Sequence, residues 1–360
     1  MPLPSRILAS ALRIACAAAL LLVLVQDWPA TRAVAELAAL PDHDHAAEAE
    51  RLMADGRLDE ADLVIDAGLH EADGADRAAL LAQRERLRAR RASWQYRAGE
   101  LAQGAWTGRG DSTTALVGAV TADLLVFGDV RDLVMASADG LRGRPVDPVI
   151  VALSGAGLAL TVWPGADAGT AVLKLARRSG ALGGTLARQL VRASRRAVTR
   201  RDPAPVQGML RDAATLQRAG GTVPAMRTLR HVRDRGDLAR AARFGVGRRS
   251  GYVLWAGGAD ALRALRIGGA DAGRWLHRAA RKGPDGIALV ARNARVLARP
   301  HPLIGLTKGI YKGNAGALLS DALRRLGAPL IGLVAGWLLF ELGRGVLLLR
   351  GSGRRRDAVV

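Results

Sequence analysis

The chain reads as an all-α, membrane-anchored helical protein, and three observations carry that expectation. Its 360 residues are 49% hydrophobic but only 4% aromatic, rich in alanine, leucine and glycine, a composition suited to helices packed through small side chains. Apolar residues recur at helical spacing in the segments taken up below. An apolar run also lies near each end of the chain, and a pair of apolar stretches, TTALVGAVTADLLVF and PVIVALSGAGLALTVWP, occupies its middle.

The net charge of +20 suggests nucleic acid until it is decomposed. Only four of the 53 basic residues are lysine (Lys174, Lys282, Lys308, Lys312), a bias toward arginine that weakens the inference from charge to polyanions. Position says more: residues 26–112 carry 17 acids and 11 bases, residues 165–327 carry 9 acids and 32 bases. One segment should repel phosphate and the other attract it. The single cysteine, Cys16, excludes an intrachain disulfide and a cysteine-rich metal site.

In residues 1–28, Arg6 and Arg13 precede the run IACAAALLLVLV, and Asp27-Trp28-Pro29 closes it. This reads as an uncleaved signal anchor with Trp28 at the outer interface. Residues 29–112 form the acidic segment. Within them, Asp42-His43-Asp44-His45 puts His and Asp at alternate positions, but no second ligand cluster follows, so neither a metal nor a cofactor is expected.

Residues 45–72, HAAEAERLMADGRLDEADLVIDAGLHEA, place Ala49 and Leu52 on one helix, Gly56 at a turn, and Ala61, Ile65 and Gly68-Leu69 on a second helix. This spacing resembles one tetratricopeptide helical hairpin. Asp73 stands where that family has a proline. The resemblance implies partner binding rather than catalysis, with Asp59, Glu60, Asp62 and Asp66 as the candidate partner-binding acids. Leu80, Leu87, Trp94 and Leu101 recur every seven residues, so a third helix could cover the hairpin.

Residues 113–164 are the central apolar pair. Helices of 15 and 16 residues reach roughly 23 Å, short of the ~30 Å hydrocarbon layer. They read as a hairpin that is re-entrant, spanning or buried in protein. Asp123 inside the first stretch, with Asp129 and Asp132 in the connector, are the membrane-charge candidates of this unit.

Residues 165–327 read as a basic domain of short helices. In 182–200, Leu182, Leu186, Leu190, Ala193 and Ala197 share one face, and Arg188, Arg192 and Arg195 share another. Such a helix can lie on anionic headgroups. Nucleic acid would call for stacking aromatics or a recognised module beside the arginines, and neither is present. An 11-residue repeat follows, GGADALRALRI and GGADAGRWLHR, with Asp260 and Asp271 expected to cap helices. The stretch 301–319 holds Lys308 and Lys312, two further lipid-contact candidates.

Ala328 to Leu349 is long enough to span a bilayer, with Gly332 and Gly336 as a close-packing face for another helix. Glu341 and Arg344 lie one turn apart there, and Arg350, Arg354, Arg355 and Arg356 follow it. Both chain ends then face the cytoplasm, and the bulk of the chain faces the periplasm of a bacterial inner membrane. No G-x-S-x-G, H-E-x-x-H, C-x-x-C, P-loop or G-x-G-x-x-G occurs. The expected function is a non-enzymatic, partner-binding scaffold of the cell envelope. Its alternatives are a transport component using the central acids, and an enzyme using His277 or His301.

Overall fold

The computed structural model describes residues 3–93, 142, 147–159, 166–299, 301 and 315–356. Among these every regular element is helical, which bears out the all-α expectation. The chain divides into two compact units, residues 1–39 with 295–360, and residues 40–294.

The first unit is built on α1 (Leu3–Gln26) and α15 (Gly327–Arg356), with α2 (Trp28–Ala39) and α14 (Ala315–Arg325) beside them. Within α1 and α15, Leu8–Gln26 and Gly327–Leu347 are long and apolar enough to cross a membrane. The two helices run antiparallel: Gly345 sits against Ile14 and Ser10, and Glu341 against Arg13. Their large apolar side chains point outward, with Leu8 73%, Leu333 71% and Leu347 69% exposed, whereas Ala17, Leu24 and Val334 are buried. That inversion of the usual rule is what lipid-facing helices require. Gly332 and Gly336 have no neighbour within 4 Å of where a Cβ would stand, so the G-x-x-x-G face does not pack on α1.

The second unit opens with a helical hairpin, α3 (His45–Ala54) and α4 (Leu58–Glu71), turned at Gly56 with φ 74°. Asp44 caps α3 by accepting from the Ala47 N–H at 2.8 Å. α5 (Gly74–Ala92) covers the hairpin through Leu80 and Leu87, both buried as the heptad spacing required. Gly68 of α4 makes room for His45 and Leu80, each 2.8 Å from its absent Cβ.

Then come α6 (Pro148–Ala159), α7 (Ala166–Arg178), α8 (Gly184–Thr199), α9 (Ala204–Gly220), α10 (Thr222–Leu229), α11 (Arg235–Phe244), α12 (Arg248–Ala279) and α13 (Gly283–Leu297). α6 belongs to the second of the central apolar stretches. It packs on α7 and α8 with Val149, Leu153 and Ser154 buried, and Asp147 ties it to Arg177 at 2.6 Å. The first stretch, with Asp123, Asp129 and Asp132, lies outside the described residues.

Two glycine crossings set the core. A Cβ on Gly169 of α7 would stand 2.0 Å from the Leu210 carbonyl oxygen of α9, and one on Gly251 of α12 would stand 2.4 Å from that of Ala219. Backbones this close leave no space for a methyl group.

The 11-residue repeat produces two kinks in α12, at Gly258 (φ 45°) and Gly269 (φ 53°). Left-handed backbone at these positions is why the glycines recur. Asp260 and Asp271 fall two residues beyond the kinks, inside the next helical turn, where their charge favours the helix dipole. The cap of α11 is Asp234, which accepts from the Asp237 N–H at 2.9 Å. Asp237 itself sits buried in the first turn of the helix.

Candidate functional site

The acids of the hairpin are engaged within the chain. Glu60 is 2% exposed; it accepts from Trp255 Nε1 at 2.9 Å, pairs with Arg227 at 2.6 Å and bonds Arg57. Asp59 takes Arg91 at 2.8 Å, and Asp62 takes Arg248 at 2.8 Å and Arg91 at 3.4 Å. Asp66 pairs with Arg84 and with Arg248. Arg84 and Arg91 come from α5 and Arg248 from the start of α12. The acids of the hairpin therefore fasten α4 to its cover and to a helix more than 180 residues on. Around Asp62, Asp66, Arg84, Arg91 and Arg248 lies a cavity of about 360 Å³ in which acids and bases alternate. Within residues 40–294, the acids of α4 thus pair with arginines of the basic segment, Arg227 and Arg248, as well as with those of α5.

A second buried carboxylate works the same way. Asp237 accepts from Arg240 at 2.7 Å, Arg266 at 2.8 Å and the Arg233 N–H at 3.2 Å. Burial opposes its ionisation, and these bonds outweigh burial to hold the carboxyl below the usual carboxylate range.

The α8 face is different. Leu182, Leu186, Leu190 and Ala193 are buried, and Arg188, Arg192, Arg195 and Arg196 are exposed, as the amphipathic spacing requires. A cleft of about 330 Å³ opens beside it, lined by Gln189, Arg192, Arg196 and Arg235, with Ala193, Pro205 and Met209 as its apolar part. The Arg235 N–H at the start of α11 donates to Gln189 Oε1 at 2.7 Å and fixes the two helices to each other. Lys308 and Lys312 lie outside the described residues.

In the first unit, Glu341 is buried between α1 and α15, 3.6 Å from Arg13 and 3.7 Å from Arg344. At the other end of the helix pair Arg324 of α14 is 2% exposed. It donates to Asp27 at 2.9 Å and to the carbonyls of Leu297 and Arg299 at 3.4 and 2.7 Å, with His301 Nε2 3.7 Å from the same Asp27. Burial lowers the His301 pKa; Asp27 opposes that shift and Arg324 adds to it.

The residues of the Asp42–His45 stretch are engaged within the chain. Asp42 is taken by Arg281 and Lys282 at 2.7 and 2.9 Å, and His43 pairs with Glu48 at 2.6 Å. His45 lies buried against Tyr252, ring centroids 5.3 Å apart. Burial, then the neighbouring His43, pushes the His45 pKa down to about 4, and burial lifts that of Tyr252 above its ordinary value. Among the described residues no His, Cys, Asp and Glu group has the arrangement of a metal site. His277 Nε2 is 3.5 Å from Ser250 Oγ, but that serine is buried and its hydroxyl donates to the Val246 carbonyl at 3.3 Å.

Compared with known proteins, the chain matches no family model, no curated protein and no solved structure. The tetratricopeptide resemblance therefore rests on the residues of α3 and α4 alone.

Proposed function

We propose that the chain is a non-enzymatic scaffold of the bacterial inner membrane, anchored by α1 and α15, whose residues 40–294 meet another envelope protein in the periplasm. The observation that carries the reading is the pairing of α1 and α15. Their polar residues face each other and their large apolar residues face outward, the reverse of a soluble core. Arg6 and Arg13 at one end of the chain, and Arg350, Arg354, Arg355 and Arg356 at the other, favour the cytoplasm for both termini. The outer surface of α3 and of its covering helix α5, with Glu50, Glu85 and Arg86 exposed, is the face offered to the partner.

Topology is tested by labelling intact cells with a membrane-impermeant maleimide, in a Cys16→Ser background, with single cysteines at Glu85, Thr199 and Asp285, all exposed. All three label if residues 40–294 face out of the cytoplasm; labelling only after lysis contradicts the orientation. A probe at Ser137 asks whether residues 113–164 cross, the condition that the transport alternative needs. Alanine at Glu50, Glu85 and Arg86 should abolish co-purification of an envelope partner at unchanged thermal stability, and unchanged capture counts against the scaffold.

A further inference from the structure

We propose that the cleft between α8, α9 and α11 is a binding site for a phosphate-bearing anion, held by Arg192, Arg196 and Arg235. Three features of the cleft carry this. The first is its charge. All the ionisable residues that line it are arginines, and among the described residues no ion pair joins any of the three to a carboxylate. Asp234, next in sequence to Arg235, is spent on capping α11, and Asp212, which senses Arg235 electrostatically, makes no ion pair with it. Three guanidinium-bearing side chains lining one cleft with no carboxylate bonded to any of them repel one another, and an anion of two or more charges relieves that repulsion.

The second feature is geometric. A guanidinium presents paired N–H donors in a plane that matches two phosphate oxygens, and three such forks around one opening suit a tetrahedral anion better than a planar carboxylate. The Gln189 amide, its oxygen already taken by the Arg235 N–H, adds an N–H donor at the rim. The third is preorganisation. Ala193 and Met209 are buried beneath the opening, and the bond between Gln189 and α11 fixes two of the walls, so the arginines extend from a rigid frame.

The cavity around Asp62 and Asp66 supplies the contrast. It is of similar size and also lined by arginines, yet Arg84, Arg91 and Arg248 each meet an aspartate there. The chain has carboxylates enough to neutralise an arginine cluster where one is structural, and does not do so at α8. Arg188 and Arg195 extend the same face, so the phosphate group can come from an anionic lipid headgroup or from a soluble phosphate compound.

The test uses the full chain in uncharged detergent micelles and two probes: inorganic pyrophosphate, and short-chain phosphatidylglycerol against short-chain phosphatidylcholine, each titrated calorimetrically. Saturable binding is expected, weakened at least tenfold in R192Q/R196Q/R235Q and retained in R230Q/R263Q/R292Q, which removes three exposed arginines elsewhere in the unit. Binding of pyrophosphate assigns the site to phosphate as such; binding of phosphatidylglycerol alone assigns it to a lipid headgroup. The thermal midpoint of the cleft variant should be no lower than that of the parent, which separates lost binding from lost folding. The proposal is overturned if neither probe saturates, or if the control variant loses as much as the cleft variant.

Discussion

The two arginine-lined cavities of residues 40–294 differ in one respect that decides their roles. Each arginine lining the cavity beside α4 has a carboxylate; among the described residues, none of the three lining the cleft beside α8 is in an ion pair. In the first, the charges hold α5 and α12 onto the hairpin and leave little field outside it. In the second, the fold leaves three cations facing solvent with their charge intact. Net charge alone does not separate these cases, because both contribute arginines to the same total of +20. The placement of a few aspartates does.

The comparison can be broken most severely at Glu60. Glu60→Gln removes a buried carboxylate from Arg57, Arg227 and Trp255, and should cost about 2–3 kcal/mol in urea unfolding followed by circular dichroism, since breaking one side of a buried pair leaves the other unmatched. A loss under about 0.5 kcal/mol would mean that the arginines are already satisfied by water.

Acid probes the same region through His45, the first residue of α3, which is buried against Gly68 and Tyr252. Its folded pKa of about 4 lies below the ordinary 6.5, so the unfolded chain binds the extra proton between these values. Stability should therefore be full above about pH 6.5 and fall as the pH drops toward 4, by roughly 3 kcal/mol in all from this group. His45→Phe should flatten that part of the pH profile; an unchanged slope would place the sensitivity elsewhere.

A smaller effect is expected from Asp62→Asn with Asp66→Asn. The pairs with Arg84, Arg91 and Arg248 are partly exposed, so about 1–2 kcal/mol is the expected loss, larger at low salt than at 0.5 M. Smallest of all is Arg192→Gln with Arg196→Gln and Arg235→Gln, under about 0.5 kcal/mol, because no pairing is lost.

Local features of this architecture were legible in the sequence. Gly56 marked the hairpin turn, the heptad leucines Leu80 and Leu87 marked the covering helix, and the buried and exposed faces of α8 followed from 3.6-residue spacing. The Gly-Gly-Ala-Asp repeat was visible, but its meaning as two left-handed kinks was not, since a capping reading fits the same letters. The fate of the acids was hidden. Asp59, Glu60, Asp62 and Asp66 look like a solvent face on α4, and their partners Arg84, Arg91, Arg227 and Arg248 lie some 20 to 190 residues away. The pairing of Asp27 with Arg324 spans 297 residues. Ion pairs of that sequence separation depend on which distant helices pack together within each unit, which no local pattern encodes.

The most direct measurement sets the two cavities side by side in the full chain: the unfolding free energy and the pyrophosphate affinity of D62N/D66N and of R192Q/R196Q/R235Q. A double dissociation is expected, with the aspartate variant less stable and binding as before, and the arginine variant stable and binding at least tenfold more weakly. If the arginine variant unfolds as readily as the aspartate variant, or if both bind alike, the division between structural and ligand-facing arginines is wrong.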